Sequence, residues 1–139
     1  MAFKCAIVTP SDAVLDTPAS YASFEAWDGQ RGVASGAAAF LVKLGTGIAT
    51  IRTAEGASRT FVLDGGFAQM EGDRLTLLSE KAMEGSGIDA NAANRELAEA
   101  NAKVLDSGEK ATTLEQRAAI ERAQRLARAK IAAAELARR

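Results

Sequence analysis

Arg59-Thr60-Phe61-Val62-Leu63, Asp64-Gly65-Gly66, Phe67-Ala68-Gln69-Met70, Glu71-Gly72-Asp73, then Arg74 and Leu75-Thr76-Leu77-Leu78: this run reads as strand, turn, strand, turn, strand. The apolar and β-branched residues recur at every second place, so one face is buried and the other is not. Asp-Gly-Gly and Glu-Gly-Asp carry turn chemistry. Connections this short suit antiparallel pairing, because a parallel connection needs a crossover of a dozen residues or more. Phe3-Cys5-Ile7, Tyr21 through Trp27 and Ile48 through Ile51 repeat the pattern upstream. No helical pattern intervenes, so an antiparallel β-sandwich or flattened barrel is expected.

The pattern stops near Gly85-Ser86-Gly87. Beyond Gly87 there is no aromatic and no proline, and Gly108 is the single glycine. Alanine and charge follow a helical period instead. The 139 residues therefore divide into a β-sandwich domain over 1–86 and an α-helical hairpin over 87–139, the second too short to hold a core by itself. Asp89 is placed to cap a first helix with the stripe Ala93, Leu97, Ala100 and Val104, and Asp106-Ser107-Gly108 offers its exit. Thr113 and Gln116 have the spacing of a capping box for a second helix. On that helix Ile120, Ala123, Ala127, Ile131 and Ala134 share a narrow face, while Arg117, Glu121, Arg122, Arg125 and Arg128 point elsewhere. A buried leucine contributes about 1.5–3 kcal/mol and alanine far less, so this seam is thin. Helix propensity is nonetheless high throughout. The hairpin is expected to be able to leave its seat intact, although a static, permanently docked hairpin fits the same residues.

Charge is unevenly spread. Thr112 to Arg139 holds seven Lys/Arg against three Asp/Glu, and the preceding residues hold ten against fifteen, so a plus 4 tail follows a minus 5 body. A basic helix can face an acidic protein surface, an anionic membrane or nucleic acid, or simply water. No aromatic accompanies its arginines to stack on bases, so nucleic acid is not expected. No stretch approaches the ~20 apolar residues of a membrane span.

An enzyme is not expected either. Histidine is absent, which removes the commonest general base and the Ser-His and Cys-His pairs. The carboxylates Asp12 with Asp16, and Glu80 with Glu84, sit where solvated charges are ordinary. Cys5 lies within a strand pattern and reads as a small buried hydrophobe. No metal site and no phosphate-cradling motif stands out. Gly32, Gly36, Gly45 and Gly47 surround the run Ala37-Ala38-Ala39, so that something comes close to this backbone; a tight sandwich corner and a binding loop both satisfy that requirement.

The order of these parts resembles the epsilon subunit of the F-type ATP synthase over essentially the whole chain. The resemblance rests on Ile7-Val8-Thr9-Pro10, Gly32-Val33 through Gly36 and Leu41, Asp64-Gly65-Gly66-Phe67, Leu75 through Leu78 with Ala82, and Ile88-Asp89. It implies a non-catalytic rotor component of the central stalk, linking the gamma subunit to the membrane c-ring, with Gly32, Val33, Ser35, Gly36, Ala37 and Phe40 as interface candidates. It also implies a hairpin that opens toward the alpha and beta subunits and hinders ATP hydrolysis, with Arg117, Arg122, Arg125 and Arg128 as its candidates. Two departures stand out: Ser35 and Ala37 replace the family's proline and histidine, and Ala92 stands where members that bind ATP through Ile88-Asp89 have arginine. No cofactor is expected. The lack of a transit-like extension points to the cytoplasmic face of a bacterial inner membrane. The competing reading is a stand-alone adaptor or nucleotide-responsive module whose hairpin holds a partner helix.

Overall fold

A computed structural model describes residues 2–107 and 113–137. Nine strands come first: β1 (Phe3–Val8), β2 (Ala13–Ala26), β3 (Gly29–Ala34), β4 (Phe40–Lys43), β5 (Thr46–Thr53), β6 (Ser58–Asp64), β7 (Phe67–Glu71), β8 (Arg74–Leu78) and β9 (Ala82–Glu84). One 3₁₀ turn over Gly85–Gly87 leads to the helices α1 (Ala90–Ser107) and α2 (Leu114–Ala137). The strands hydrogen-bond in the order β4-β7-β8-β1-β2-β5-β6-β9, and β3 is added to β2.

The long β2 is what folds this sheet into two layers. Its first half pairs with β1, its second half pairs with β3 along the same edge, and β5 takes the opposite edge from Ala19 to Ser23. Register shifts in β2's pairing on either edge, between Ile7 and Val8 on the β1 side and between Ala19 and Tyr21 on the β5 side, let it bend. An isolated Ala26–Leu44 bridge, with the Trp27 amide donating to the Lys43 carbonyl at 2.9 Å, brings the end of β4 back to the end of β2. The flattened, nearly closed body expected from the sequence is thus present.

Its interior is filled by the period-two residues. Phe3, Phe24, Phe61, Ile7, Ile51, Met70, Leu75 and Leu77 are fully buried, each supplying about 1.5–3 kcal/mol of transfer free energy. Cys5 sits among them, unexposed.

One feature of the sheet differs from the sequence reading. β1 and β8 run parallel, with Lys4 opposite Arg74 and Val8 opposite Leu78, inside an otherwise antiparallel set of pairs. Long-range closure makes this pair, which no short connection signals. The stretch around Gly29–Gly47, which the sequence left open between a sandwich corner and a binding loop, holds β3 and β4, with the turn between them and the Gly45 bend irregular.

The helices form the expected antiparallel hairpin. Asp89 Oδ1 accepts from the amides of Asn91 and Ala92 at 2.9 and 3.3 Å, capping α1. Thr113 and Gln116 make the reciprocal capping box, amide to side chain in both directions at 3.1 Å. Ala93 and Ala100 are buried on α1 and Ala127 and Ala134 on α2. Gln124 donates to Asn101 at 2.8 Å and Lys130 to Glu96 at 2.9 Å across the pair. The seam is shorter than expected, however: Ile120 is half-buried and Ala123 exposed. The Val104 side chain and the Gly108 exit lie outside the described residues.

Candidate functional site: two outer faces of the sandwich

Each layer of the sandwich has an outer face with one apolar row. On the β5-β6-β9 side, Ile48, Val62 and Met83 stand in register. On the β4-β7-β8-β1 side the corresponding row is Lys43, Phe67, Leu78 and Val8, with Leu41 in the neighbouring row opposite Gln69. Period two dictates both rows, because residues paired across strands point the same way.

The first face is covered by α2. Ala129 and Ala133 pack on Val62, with Ile48, Met83, Ile88 and Leu126 at the margin. These small side chains let the helix approach closely, and Gly85 lies directly against Ala133. This is a second buried stripe on α2, distinct from the Ala127 and Ala134 seam, and the sequence reading named only the latter. At one end of the face Arg122 Nε and Nη2 each donate to an oxygen of Asp64 at 3.2 Å. Thr46 Oγ1 donates to the same carboxylate at 2.8 Å. Burial pushes the Asp64 carboxyl up, but the hydrogen bonds from Arg122 and Thr46 and the charges of Arg122 and Lys81 outweigh it and hold the group below the usual carboxylate range. The remaining turns of α2 before Arg122 project past the end of β6: residues 113–119 are all exposed, and Leu114 is 83% so.

The second face is bare. Phe67 is 50% exposed, Leu78 45% and Leu41 69%, and a shallow groove of about 260 Å³ runs beside them between Val8, Pro10, Gly66 and Glu80. Leaving large apolar side chains in a contiguous row unburied is unusual for a surface that meets only water. The sequence did hold a signal for it. Leu77 and Leu78 are consecutive, so a strand there must turn one of them outward.

The glycine-loop candidates divide between support and surface. Val33 is buried and Phe40 half-buried. The Phe40 ring stands 6.4 Å from that of Phe24, with the Arg31 guanidinium 5.9 Å from its own centroid. Gly32 gives room for the Tyr21 side chain, whose hydroxyl occupies the place a Cβ would take. Ser35, Gly36 and Ala37 form the turn between β3 and β4, where Gly36 has φ of +85° and its amide donates to Asp73 Oδ1 at 3.0 Å. This turn lies at the opposite end of the body from Asp64.

The remaining candidates are structural. Glu84 accepts two bonds from Arg59 at 2.9 and 2.7 Å, pinning β9 to β6, and Arg59 holds its carboxyl below the ordinary glutamate range. Asp89 is occupied in capping. Burial and the nearby Asp16 charge push the Cys5 thiol up to about 12, which leaves it unreactive. No cluster of three metal-ligating side chains occurs among the described residues, and none of the described helices is long and apolar enough to cross a membrane.

The chain is thus a β-sandwich followed by a two-helix hairpin, with one outer face covered by α2 and the other open. Residues 2–85 match the family model described as "ATP synthase, Delta/Epsilon chain, beta-sandwich domain". The ATP synthase epsilon chain of Rhodopirellula baltica is 38% identical over 100 residues, covering 72% of this chain and 77% of that one. The chloroplastic epsilon chain of Guillardia theta is 34% identical over 133 residues, covering 96% and 98%. In shape, the chain is similar to one in the Euglena gracilis mitochondrial ATP synthase structure containing OSCP, F1 and c-ring, with a TM-score of 0.82 at 21% identity over 95% of this chain and 81% of that one. A chain of the Tetrahymena thermophila central stalk and c-ring gives 0.62 at 15% identity, over 91% and 92%. The chain belongs to the ATP synthase epsilon chain family.

Proposed function

We propose that this chain is a non-catalytic rotor subunit of an F-type ATP synthase, seated between the gamma subunit and the membrane c-ring at the cytoplasmic face of a bacterial inner membrane. The bare row Phe67, Leu78 and Val8 with Leu41 is the observation that carries the reading. It offers gamma an apolar strip flanked by Lys43 and Glu80, the composition of an interface core with a polar rim. The β3–β4 turn, with Ser35, Gly36 and Ala37, is assigned to the c-ring end, because it lies at the pole away from the projecting helices.

Residues 87–139 are assigned as a regulatory unit separate from 1–86. With α2 lifted off the sandwich, Arg117, Arg122, Arg125 and Arg128 would present positive charge to acidic surfaces of alpha and beta and hinder ATP hydrolysis. In the docked state Arg122 is held by Asp64. Neither a cofactor nor nucleic acid enters this scheme.

The test is assembly. Purified chain mixed with gamma should form a stable complex and join alpha and beta in a membrane extract. A chain ending at Glu84 should still assemble, and the resulting complex should hydrolyse ATP faster than one with the full chain. Failure to bind gamma would favour the adaptor reading; unchanged hydrolysis at complete assembly would remove the regulatory part.

A further inference from the structure

Arg122 and Asp64 are 58 positions apart in sequence and meet where α2 crosses the end of β6. The two partners are not equally committed. The Asp64 side chain is 5% exposed and that of Arg122 55%. A buried carboxylate depends on its donors much more than a half-wetted guanidinium depends on its acceptor. Were α2 to lift, Asp64 would keep Thr46 and the nearby Lys81 charge but lose two charge-assisted bonds.

Besides this pair, α2 rests on the sandwich through apolar and backbone contact, with Gly85 directly against Ala133. The apolar contact is Ala129 and Ala133 on Val62 with partly buried neighbours. The bonds from Gln124 to Asn101 and from Lys130 to Glu96 join α2 to α1 and would travel with the hairpin.

We propose that the Asp64–Arg122 pair is the latch of this hairpin: while it is closed α2 stays on the β5-β6-β9 face, and its loss alone frees an intact hairpin from an intact sandwich. The latch deepens the proposed regulatory function and rests on its view of the hairpin as a movable arm. It adds which contact decides the movement. Arginine is needed rather than any cation, since only its fork meets both oxygens at once.

The experiment measures a distance in the isolated full chain. Spin labels go on cysteines introduced at two exposed sites, Glu55→Cys beyond β5 and Glu135→Cys on α2, while Cys5 is shielded by burial. Arg122→Gln should raise the ratio of long to short distances about tenfold, or ~1.4 kcal/mol, with far-UV circular dichroism unchanged. Asp64→Asn, which keeps shape and the Thr46 partner, should shift the ratio in the same direction, and Arg122→Lys should restore it only partly. Arg125→Gln removes the same charge from the same helix at a residue with no ion pair among the described residues, and should leave the distances as they were. Distances unmoved in both Arg122→Gln and Asp64→Asn, or moved equally by Arg125→Gln, overturn the latch. Gamma plays no part in the measurement. Shifted distances in a chain that fails to bind gamma would keep the latch and remove the function, and the reverse result would do the opposite.

Discussion

Gly85 lies so close beneath Ala133 that a Cβ on the glycine would fall 2.7 Å from the Ala133 carbonyl oxygen. Backbone on both sides leaves nothing flexible to yield. Gly85→Ala should therefore lift the C-terminal half of α2, at an overpacking cost of about 1–3 kcal/mol. Amide exchange should quicken in α2 and stay slow in the sandwich. Gly87→Ala, where a Cβ meets nothing within 4 Å, is the matched control and should be close to neutral; equal effects from the two would show that the contact is not what seats the helix.

Phe67 and Leu78 face each other across β7 and β8 and are half exposed. Replacing either with serine should cost the isolated chain less than about 1 kcal/mol, because much of the side chain is already in water. Gamma binding should weaken by about 30-fold or more if the row is the centre of the interface. Thermal unfolding and titration calorimetry on the same variants separate the two effects. A loss of stability without loss of binding would move the interface elsewhere.

Acid should act on this molecule late. Free Asp and Glu titrate near ~3.9 and ~4.3, and Asp64 and Glu84 are both held lower in the fold. Their contribution is therefore fully present above those free values and is lost as pH falls through the lower folded ones. Hairpin docking and thermal stability should be flat from roughly pH 6 to 8 and decline only below about pH 4. The Arg59–Glu84 pair is over a third exposed on the arginine side, so its share should be under about 1 kcal/mol. A docking midpoint near neutrality in a pH titration followed by the spin-label distance would assign control to some other group.

Cys5 is fully buried with its thiol pushed up to about 12. At pH 8 an aromatic disulfide reagent should modify it at least about 1000-fold more slowly than a free thiol. Denaturant should restore the ordinary rate. Rapid reaction of the native chain would mean that β1 and β8 part far more readily than their packing implies.

Local chemistry made much of this fold readable. The Asp64-Gly65-Gly66 turn, the Asp89 cap and the Thr113–Gln116 box each involve residues within three positions of one another, and all are where the sequence puts them. Pro18 hid the middle of β2, since a residue without an amide donor argues against a strand; here it sits near the bend that serves two layers. The parallel β1–β8 pair and the Asp64–Arg122 bond have no local signature, because partners brought together by closure of the whole chain leave no spacing to read. Asp64 looked like a turn residue; it closes β6 just before the turn and has a second duty that only α2 reveals. The exposed row was half visible. Alternation told that one side of β7 and β8 points out, but not which outer face the hairpin would cover.

The turns of α2 ahead of Arg122 extend about 12 Å beyond the body, at 1.5 Å per residue. A load applied to that end of α2 pivots about Arg122, so contacts with the sandwich are stressed in sequence from Asp64 toward Gly85 rather than all together. Detachment by prying needs less force than sliding the whole helix along its seat, and a neighbour that tugs on Leu114 can start it without ever reaching the buried alanines.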